Sequence, residues 1–516
     1  MFSFFFGTEH ILSAPAFQFT DPRELAFYAV LAVVCSGAGY FFVGTFRACK
    51  TRVFAPVRER LGIMGLCRAL ARTGLCVAPF KKGPDYIDAS WLSHAARRQA
   101  CNLDPFLLPR ETIAALFCER AASADISVIE GNRGLFDGKD VDGTCSTAEL
   151  ARQLEAPVIL VLDATKMTRT AAAVVAGCRA FEPGLNLAGV ILNRTAGERH
   201  RRILTDCIEK LAGVPVLGTL PKMAENPIPE RHMGLVSDQE HGAREAALDA
   251  IADVVERWVD VPGLVAAAKR ALAPPHTAPV AWPQRVEGIA KGDEPVIGYV
   301  RDAALWFYYP ENLEALTRAG ASLVELSLLS NAPWPKLDAL YLGGGFPETQ
   351  AEALSANVAA RERVRALAAS GLPIYAECGG FMYLCEGLHL DQNGRDTWRA
   401  MAGVFPVSTR LCARPQGLGY VEALVEGENP FHPLGAHITG HEFHYSACTE
   451  PSSPAGMPPL TLKMLRGHGM VAGRDGLLTK RTFAAYSHIH ALGCPHWAPA
   501  FVRAARDRRA ESTSPV

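Results

Sequence analysis

The sequence predicts an α/β protein with two domains. A chain of 516 residues is about three times the length of an average domain. Its composition, 49% hydrophobic and 20% charged, is typical of an ordered protein that buries large cores. Short β-branched runs alternate with alanine-rich helical stretches, a pattern that favours parallel sheets covered by helices. We therefore expect ligands to bind at the carboxyl ends of the strands.

The charge balance and the cysteine spacing bear on the expected partners and cellular location of the protein. The 52 basic and 53 acidic residues leave a formal charge of −1, and no long block of like charge occurs, so nucleic acid is not an expected partner. The 14 cysteines include no Cys-x-x-Cys pair that would indicate a zinc ribbon. They predict a reducing, cytoplasmic location.

The N-terminal region departs from this picture. Residues 25–46 are 22 uncharged residues, long enough for a transmembrane helix. Arg47, Lys50 and Arg52 follow, and the positive-inside bias would leave the rest of the chain in the cytoplasm. The alternative is a buried core helix. A membrane partner is expected only through this segment.

From residue 64 onward, strand and helix signals alternate. A helical GLCRALARTG is followed by a strand LCVAPF and a Gly-Pro-Asp turn. Further strands are predicted at 126–130, 157–163 and 189–193, and residues 257–294 are rich in Pro and Ala, which favours an extended linker. The predicted organisation is an atypical segment at 1–63, a first domain at 64–256, the linker at 257–294, a second domain at 295–503 and a polar tail at 504–516.

The second domain carries a candidate nucleophile. Cys378 directly follows the apolar strand GLPIYAE and precedes Gly379, Gly380 and a helical FMYL. Such a strand-to-helix elbow exposes the side chain, and backbone N–H groups at the helix start can bind an oxyanion. The helix N-terminus is also expected to lower the pKa of the thiol. The alternative is a buried structural cysteine.

A base for this thiol is expected downstream. The segment AAYSHIHALG places His488 and His490 after a short strand, in the order expected of a thiol–imidazole pair. Two histidines at i and i+2 of a strand share a face, so one of them could orient the other.

Five ordered motifs of the second domain carry a family resemblance. They are YLGGGFPE (Tyr341–Glu348), AECGG around Cys378, LGYVEA (Leu418–Ala423), GHEFHYS (Gly440–Ser446) and YSHIH (Tyr486–His490). Together they resemble the glutaminase domain of the cobyrinate a,c-diamide synthase family, a class I, triad-type glutamine amidotransferase. The resemblance implies that Cys378 is the nucleophile and His488 its base, with an oxyanion hole around Gly344, Gly345 and Gly379. His490 stands where many relatives have glutamate, so a dyad is expected rather than a full triad.

Two further motifs of this domain each allow two interpretations. His441 and His444 of GHEFHYS could pair across strands or take part directly in catalysis. The segment RDAALWFYYPENLEAL (Arg301–Leu316) matches the family's signature near the start of the domain. It is expected to serve core and interdomain packing. The alternative is that Tyr308, Tyr309 and Glu311 contact the tetrapyrrole substrate that the family resemblance implies.

The first domain resembles the synthetase half of the same family, whose fold is that of dethiobiotin synthetase. Amidation requires ATP to activate a carboxylate and Mg²⁺ to hold the phosphates. Asp85, Asp88 and Glu130 are the metal candidates, although both aspartates could instead cap the following helix. Lys81 is expected to neutralise phosphate, and the resemblance implies that Asn193 contacts the base. The motifs are FKKGPDYIDASWL (Phe80–Leu92), NLDPF (Asn102–Phe106) and EGNRGLFDG (Glu130–Gly138).

A phosphate-binding loop is missing from this first domain. A strand and a G-x-x-x-x-G-K-[S/T] loop should precede GLCRALARTG, yet neither Gly-Lys-Ser nor Gly-Lys-Thr occurs in the chain. Residues 15–60 instead weakly resemble the membrane-entry segment of ClC-type chloride channels. We interpret residues 1–63 as a real anchor or as a foreign segment joined by rearrangement or sequence error. On either interpretation the ATP-dependent half is expected to be impaired.

The resemblance implies one reaction. Glutamine supplies ammonia, and ATP with Mg²⁺ activates two carboxylates of a corrin precursor, cobyrinate or hydrogenobyrinate, in cobalamin biosynthesis. Nickel-sirohydrochlorin a,c-diamide synthase and cobyric acid synthase remain alternatives, as does an ATP-inactive, membrane-tethered tetrapyrrole-binding protein. A homodimer is a candidate assembly.

Overall fold

The computed structural model describes residues 59–223, 227–231, 234–236, 238–239, 241–271, 278–392, 395–449, 451 and 456–513. The described residues, from Glu59 onward, form one compact unit. The predicted membrane span at 25–46 lies outside the described residues, as does nearly all of the channel-like segment at 15–60. In the described part of the chain, no helix combines the length and the apolar character needed to cross a bilayer.

The first half, residues 59–271, alternates helices with short parallel strands, as the sequence predicts. The helices are α1 (Glu59–Arg72), α2 (Tyr86–Ala96), α3 (Arg110–Ala121), α4 (Thr147–Gln153), α5 (Arg169–Phe181), α6 (Glu198–Cys207) with a π-helical extension (Ile208–Ala212), α7 (Arg244–Trp258) and α8 (Val261–Lys269). The strands are β1 (Val77–Lys82), β2 (Cys101–Leu103), β3 (Ile126–Glu130), β4 (Val158–Asp163), β5 (Leu187–Thr195), β6 (Val216–Pro221), β7 (Glu230–Arg231) and β8 (Gly234–Leu235).

The main strands of this half form two separate parallel sheets. One has the order β2-β1-β3 and the other β4-β5-β6. Among the described residues, β3 and β4 are therefore each an edge strand. Every residue of β4 is only half-buried, whereas the central strand β1 is buried throughout. The described chain before β1 is the helix α1. No phosphate-loop strand therefore joins the two sheets within the described residues.

The second half is built around a mixed sheet of ten strands. The strands of this half are β9 (Val296–Val300), β10 (Leu305–Phe307), β11 (Ser322–Leu326), β12 (Ala339–Leu342), β13 (Gly344–Gly345), β14 (Ile374–Glu377), β15 (Cys385–Gln392), β16 (Arg395–Ala400), β17 (Phe405–Leu411), β18 (Gly417–Val425), β19 (His437–His444), β20 (Ser446–Cys448), β21 (Leu460–Arg466), β22 (Arg474–Thr479), β23 (Thr482–Ala485) and β24 (His488–Ile489). The order in the mixed sheet is β11-β9-β12-β14-β23-β22-β21-β18-β19-β24, with the first five strands parallel and the rest antiparallel. A second sheet has the order β16-β15-β17-β20.

Helices flank this sheet and extend into two regions predicted to be irregular. They are α9 (Pro310–Arg318), a 3₁₀ turn (Pro347–Gln350), α10 (Ala351–Ala356), α11 (Val358–Ala369), α12 (Gly379–Leu384) and α13 (Trp497–Thr513). The extended linker predicted from residue 257 is wrong for α8, because Asp260 caps that helix by accepting the N–H of Gly263. Residues 504–513 of the predicted polar tail continue α13, and Ala505 is buried there.

One of the buried hydrophobic clusters contains residues of both halves. Tyr86 and Trp91 of α2 belong to the same buried cluster as Trp306, Tyr309 and Leu492 of the second half. Burying such side chains stabilises a fold by about 1.5–3 kcal/mol each. The predicted interdomain packing by the 301–316 motif is therefore confirmed at Trp306 and Tyr309.

Candidate active site

Cys378 lies at the predicted elbow. It joins β14 to α12 with φ 43° and ψ −99°, a backbone conformation that costs energy for a residue with a side chain. Its N–H donates to the carbonyl of Ala485 at 2.7 Å, and the N–H of Gly380 donates to Gly343 at 3.0 Å. These bonds hold the strained turn against β23 and the YLGGG loop.

The thiol of Cys378 is protonated at neutral pH, contrary to the expectation from the helix N-terminus. Burial raises its pKa well above the ordinary value, and the negative charge of Glu348 adds to this effect. The N–H of Gly379 lowers the pKa but does not outweigh burial. The predicted lowering of the pKa is thus wrong, and the thiol needs a neighbouring base to remove its proton.

His488 is held by Glu377, a residue that the sequence analysis did not select. Nδ1 of His488 lies 3.0 Å from Oε2 of Glu377, and both side chains are buried. Tyr341 donates to the other oxygen of Glu377 at 3.3 Å. With Nδ1 donating to this carboxylate, Nε2 of His488 is left as the proton acceptor. Glu377 therefore fixes the tautomer that a general base requires.

His490 does not orient His488. Its Nδ1 accepts the N–H of Leu492 at 3.2 Å, and its Nε2 lies 3.7 Å from Oε2 of Glu311. Its ring packs against Tyr309 at 4.9 Å. The predicted catalytic role of His490 is not supported by these contacts. Glu377, which directly precedes Cys378 in the chain, therefore adds a third residue to the expected pair of Cys378 and His488.

The glycines predicted for the oxyanion hole lie together beside the elbow. A Cβ on Gly344 would lie 2.4 Å from Cε1 and 3.2 Å from Nε2 of His488. A Cβ on Gly379 would lie 2.8 Å from the nitrogen of Gly345. The two residues next to Cys378 in the chain thus both lead to His488. Glu377 is hydrogen-bonded to it. Gly379 packs against the glycine loop, which in turn lies against the imidazole.

The histidines of GHEFHYS have different surroundings. His441 is paired with His488 across β19 and β24, and the two rings stack at 4.9 Å with an angle of 21°. Burial lowers the pKa of His441 well below its ordinary value, so its ring is neutral. His444 instead stacks on Tyr486 at 3.7 Å and bonds to the carbonyl of Ser446. His441 thus faces the imidazole of His488, whereas His444 packs against Tyr486 and Ser446.

A second cluster of charged residues is buried in the first half. Nζ of Lys81 donates to Asp88 at 2.7 Å and to Glu130 at 3.0 Å. Asp85 caps α2 by accepting the N–H of Asp88, as the alternative interpretation expected. Lys81 is therefore bonded to two of the metal candidates and is almost fully buried.

The charge of this cluster fits a divalent cation. The carboxylates of Asp85, Asp88 and Glu130 all act on Lys81, so one ammonium faces three acids. Burial raises the pKa of Glu130 to about 7, opposed by Lys81 and supported by the charges of Asp88 and Asp85. Oxygen ligands of this kind suit Mg²⁺. Among the described residues, no group of three or more His, Cys, Asp or Glu has metal-binding geometry, so these ligands stay a prediction.

Comparisons with known proteins identify the family. The model of the CobB/CobQ-like glutamine amidotransferase domain matches residues 296–495, and that of the CobQ/CobB/MinD/ParA nucleotide binding domain matches residues 63–236. The cobyrinate a,c-diamide synthase of Magnetococcus marinus is 40% identical over 455 residues, covering 86% of this chain and 94% of the relative. The corresponding proteins of Syntrophotalea carbinolica and Salmonella typhimurium are 43% and 38% identical over 444 residues each, covering 85% and 86% of this chain and 94% of each relative.

This chain belongs to the cobyrinate a,c-diamide synthase family. The resemblance inferred from the motifs is thereby confirmed. The likeness of residues 15–60 to chloride channels is not supported by these comparisons, in which both matching family models describe other domains and begin at residue 63 or later. The match to the nucleotide-binding domain begins at residue 63, inside α1.

Asn193, the residue expected at the nucleotide base, lies in the central strand of the second sheet, β5, shortly before that strand ends at Thr195. It is buried, and its Oδ1 accepts the N–H of Arg194 at 2.9 Å. Asp163, at the end of the neighbouring strand, accepts the N–H of Thr165 at 2.8 Å and pairs with Arg194 at 3.2 Å. The side chain of Asp163 thus caps the end of β4, whereas that of Asn193 bonds to the next N–H within β5, and a role of Asn193 with the base stays a prediction.

The aromatic signature of the family's glutaminase half is held by packing and hydrogen bonds, with Tyr309 buried and Tyr308 half-buried. Tyr308 donates to the carbonyl of Val300 at 2.6 Å and accepts the N–H of Gly343 at 2.7 Å, which supports the glycine loop. Tyr309 donates to the carbonyl of Pro84 in the other half at 3.1 Å. Glu311 is almost completely buried beside His490. Packing and hydrogen bonding account for these side chains here, and their contact with the tetrapyrrole stays a prediction.

Sequence reasoning missed two residues of this region. Glu377 ends an apolar strand, where a buried acid must have a partner, and that rule could have indicated it. Tyr86 lies inside the motif KKGPDYID, yet its ring is 5.4 Å from that of His488. No pattern in the sequence indicates a contact between residues 402 positions apart.

Proposed function

We propose that this chain catalyses glutamine-dependent, ATP-driven amidation of the a- and c-carboxylates of cobyrinate or hydrogenobyrinate in cobalamin biosynthesis. Relatives named cobyrinate a,c-diamide synthase support the substrate class, since the chain covers 94% of their length. The observation that carries the glutaminase step is the buried contact between Glu377 and His488 beside Cys378.

The glutaminase half would work by nucleophilic catalysis. His488 takes the proton of Cys378, and the sulfur attacks the carboxamide carbon of glutamine. Backbone N–H groups around Gly344, Gly345 and Gly379 would bind the oxyanion. The intermediate collapses as His488 returns the proton to nitrogen, which releases ammonia and leaves a thioester. Water, deprotonated by His488, then cleaves the thioester to glutamate and restores the thiol.

The synthetase half would activate the acceptor. A carboxylate oxygen of the tetrapyrrole attacks the γ-phosphoryl group of ATP, which gives an acyl phosphate and ADP. Ammonia attacks the acyl carbon and phosphate departs, so a primary amide forms. Lys81, buried between Asp88 and Glu130, would place a positive charge near the transferring group.

Mg²⁺ fits the same cluster by charge. Asp85, Asp88 and Glu130 would hold the ion, which when bound supplies neutralisation of phosphate charge. The protein's own contribution is to keep these carboxylates buried and ionisable next to Lys81. Because Lys81 bridges Asp88 and Glu130, its ammonium group would have to share these oxygens with the ion.

A second candidate function is favoured by the missing phosphate loop. Without Gly-Lys-Ser or Gly-Lys-Thr, the chain lacks the residues that usually cradle a triphosphate. An ATP-inactive, membrane-tethered tetrapyrrole-binding protein, attached through residues 25–46, would retain the glutaminase fold but produce no amide.

One assay separates these functions. The purified full chain is incubated with cobyrinate, ATP and Mg²⁺, with glutamine or ammonium chloride as the nitrogen source, and products are identified by mass spectrometry. We expect the a,c-diamide from both sources. Binding of cobyrinate without amide from either source would favour the second candidate. Parallel reactions with hydrogenobyrinate, nickel-sirohydrochlorin and cobyrinate a,c-diamide test the remaining substrates, and use of the last alone would indicate a cobyric acid synthase.

A further inference from the structure

Tyr86 belongs to the nucleotide-binding half but lies in the glutaminase site. It is the first residue of α2 and is buried. Its ring stacks on Phe307 at 4.9 Å with an angle of 7°, and it contacts Tyr309 at 4.6 Å. It also lies 5.4 Å from the ring of His488, edge-on, and 5.7 Å from that of His441. The environment of the catalytic imidazole is therefore completed by the other half of the protein.

These contacts leave His488 little freedom to turn. Glu377 holds Nδ1, His441 stacks on one face, and the Gly344 backbone lies against the Cε1 edge. The ring of Tyr86, on α2, packs edge-on against the same imidazole. Removal of its ring would open space beside an imidazole whose orientation decides proton transfer.

The other contacts of the same helix lead to the synthetase cluster. Asp85 caps α2 through the N–H of Asp88, and the carboxylate of Asp88 bonds to Lys81 at 2.7 Å. Lys81 in turn bonds to Glu130. Tyr86 therefore lies in the same helical turn as two acids of that cluster. A ligand that draws Asp88 away from Lys81 would move the first turn of α2, and the Tyr86 ring with it.

The start of this helix is also fastened to the glutaminase half through its backbone. Pro84, two residues before Tyr86, accepts the hydroxyl of Tyr309, which packs against the ring of Tyr86. Asn102 holds the preceding turn by donating to the carbonyls of Gly83 and Asp85. A displacement at Asp88 would therefore pass to aromatic residues that surround His488 rather than be absorbed in a loose loop.

We propose that Tyr86 is a positioning residue through which occupancy of the synthetase site controls glutamine hydrolysis at Cys378. The inference rests on the proposed function, since the ligand sensed at Asp88 and Glu130 is the tetrapyrrole carboxylate or the phosphoryl group. Tyr86 acts through His488 and does not touch the reacting atoms. The aromatic ring carries the role, so phenylalanine should replace it.

The test compares Tyr86→Ala with Tyr86→Phe in the full chain. Glutamate release from glutamine is measured over a range of glutamine concentrations, with and without cobyrinate. We expect Tyr86→Ala to lower kcat at least tenfold with KM within threefold, and to abolish stimulation by cobyrinate. Tyr86→Phe should stay within threefold of the wild type and keep the stimulation.

The matched control is Tyr420→Phe. Tyr420 also crosses between the halves, by donating to Asp104 at 2.9 Å and stacking on Phe106, but none of these partners belongs to the glutaminase centre. Loss of the Tyr420 hydroxyl and of its bond to Asp104 should change the rate of glutamate release less than twofold. Thermal unfolding checks folding, and Tyr86→Leu, which keeps apolar volume without a ring, replaces the alanine variant if that variant does not fold.

Each outcome has a defined meaning. Wild-type kcat in Tyr86→Ala, or an equal loss in Tyr86→Ala and Tyr420→Phe, would overturn the positioning role. Cobyrinate stimulation that is absent from the wild type, or retained in full by Tyr86→Ala, would overturn the control role. Failure of the wild type to amidate cobyrinate with ammonia, together with a kcat loss in Tyr86→Ala, would refute the proposed function while leaving the positioning role intact.

Discussion

Oε2 of Glu377 lies 3.0 Å from Nδ1 of His488, and both side chains are buried next to the strained Cys378. Glu377 directly precedes Cys378 in the chain, so one turn of backbone places both the proposed nucleophile and the carboxylate that holds the proposed base, His488. Burial raises the pKa of Glu377, and the bonds from His488 and Tyr341 oppose this shift. The pair is thus held together by a buried hydrogen bond.

Glu377→Gln should impair glutamine hydrolysis. The amide can offer its NH₂ group to Nδ1 and so favour the wrong tautomer of His488, with Nε2 protonated. We expect kcat for glutamate release to fall about 10²-fold or more, by analogy with other triads in which the tautomer is lost. The measurement is steady-state glutamate release.

Glu311→Gln is the matched control for this change, because Glu311 is an equally buried acid that faces the other imidazole, His490. It should leave kcat within a few-fold of the wild type. If Glu311→Gln proved as damaging as Glu377→Gln, the assignment of Glu377 would be wrong.

Cys378→Ala should abolish the use of glutamine and leave ammonia-dependent amidation intact. Without the thiol no thioester can form, and glutamate release should fall about 10³-fold or more. Cys385→Ala removes another buried thiol, seven residues later, whose sulfur donates to the carbonyl of Phe381. That variant should retain glutaminase activity. Equal loss of glutamine-dependent and ammonia-dependent amidation in Cys378→Ala would argue against two separate sites.

Gly344→Ala tests the close approach of the glycine loop to the base. The added Cβ would lie 2.4 Å from Cε1 of His488, so the imidazole or the loop must shift. Misplacement of a catalytic group by about 1 Å can cost 10²-fold in rate, and we expect kcat to fall at least about tenfold.

Gly197→Ala provides the comparison for this substitution, because nothing lies within 4 Å of a Cβ at that position. It should be neutral in both glutamate release and thermal unfolding. Full glutaminase activity in Gly344→Ala would show that the loop does not restrain His488.

The buried cluster around Glu130 predicts a pH dependence of stability. The pKa of Glu130 is about 7 in the folded protein, above its ordinary value of 4.5. Between these values the folded state binds more protons than the unfolded state, so the free energy of unfolding should fall as pH rises from 4.5 to 7. Glu130→Gln should remove this slope, worth about 1–3 kcal/mol.

Thermal unfolding at several pH values in this window measures the slope directly. The Tm of Glu130→Gln relative to the wild type should increase with pH, and Mg²⁺ should raise the Tm of the wild type more than that of the variant. Parallel Tm profiles for the two proteins would contradict the buried position of this acid.

Much of the fold could be predicted from local signals. The strand at 126–130 and the elbow at Cys378 follow from apolar runs bounded by glycine and acid, which depend only on neighbouring residues. The helix α8 was missed because its proline occupies the first turn, where proline is tolerated, although prolines elsewhere in that region favour an extended chain.

The arrangement of the site could be predicted only in part. Cys378, His488 and the glycines were found from motifs, since a nucleophile needs a base and N–H donors. The partners of these residues depend on tertiary packing: Glu377 reaches a strand 111 residues later, and Lys81 bonds to the acids expected to bind metal. His490 was selected by its spacing, but the fold turns it toward Glu311.

The central claim is that Cys378 liberates the nitrogen that enters the tetrapyrrole. The most direct measurement is mass spectrometry of the tetrapyrrole after reaction of the full chain with cobyrinate, ATP, Mg²⁺ and glutamine labelled with ¹⁵N in its side-chain amide. We predict a diamide carrying ¹⁵N at both new amides with the wild type and no labelled product with Cys378→Ala. Label transferred equally well by Cys378→Ala would contradict the account.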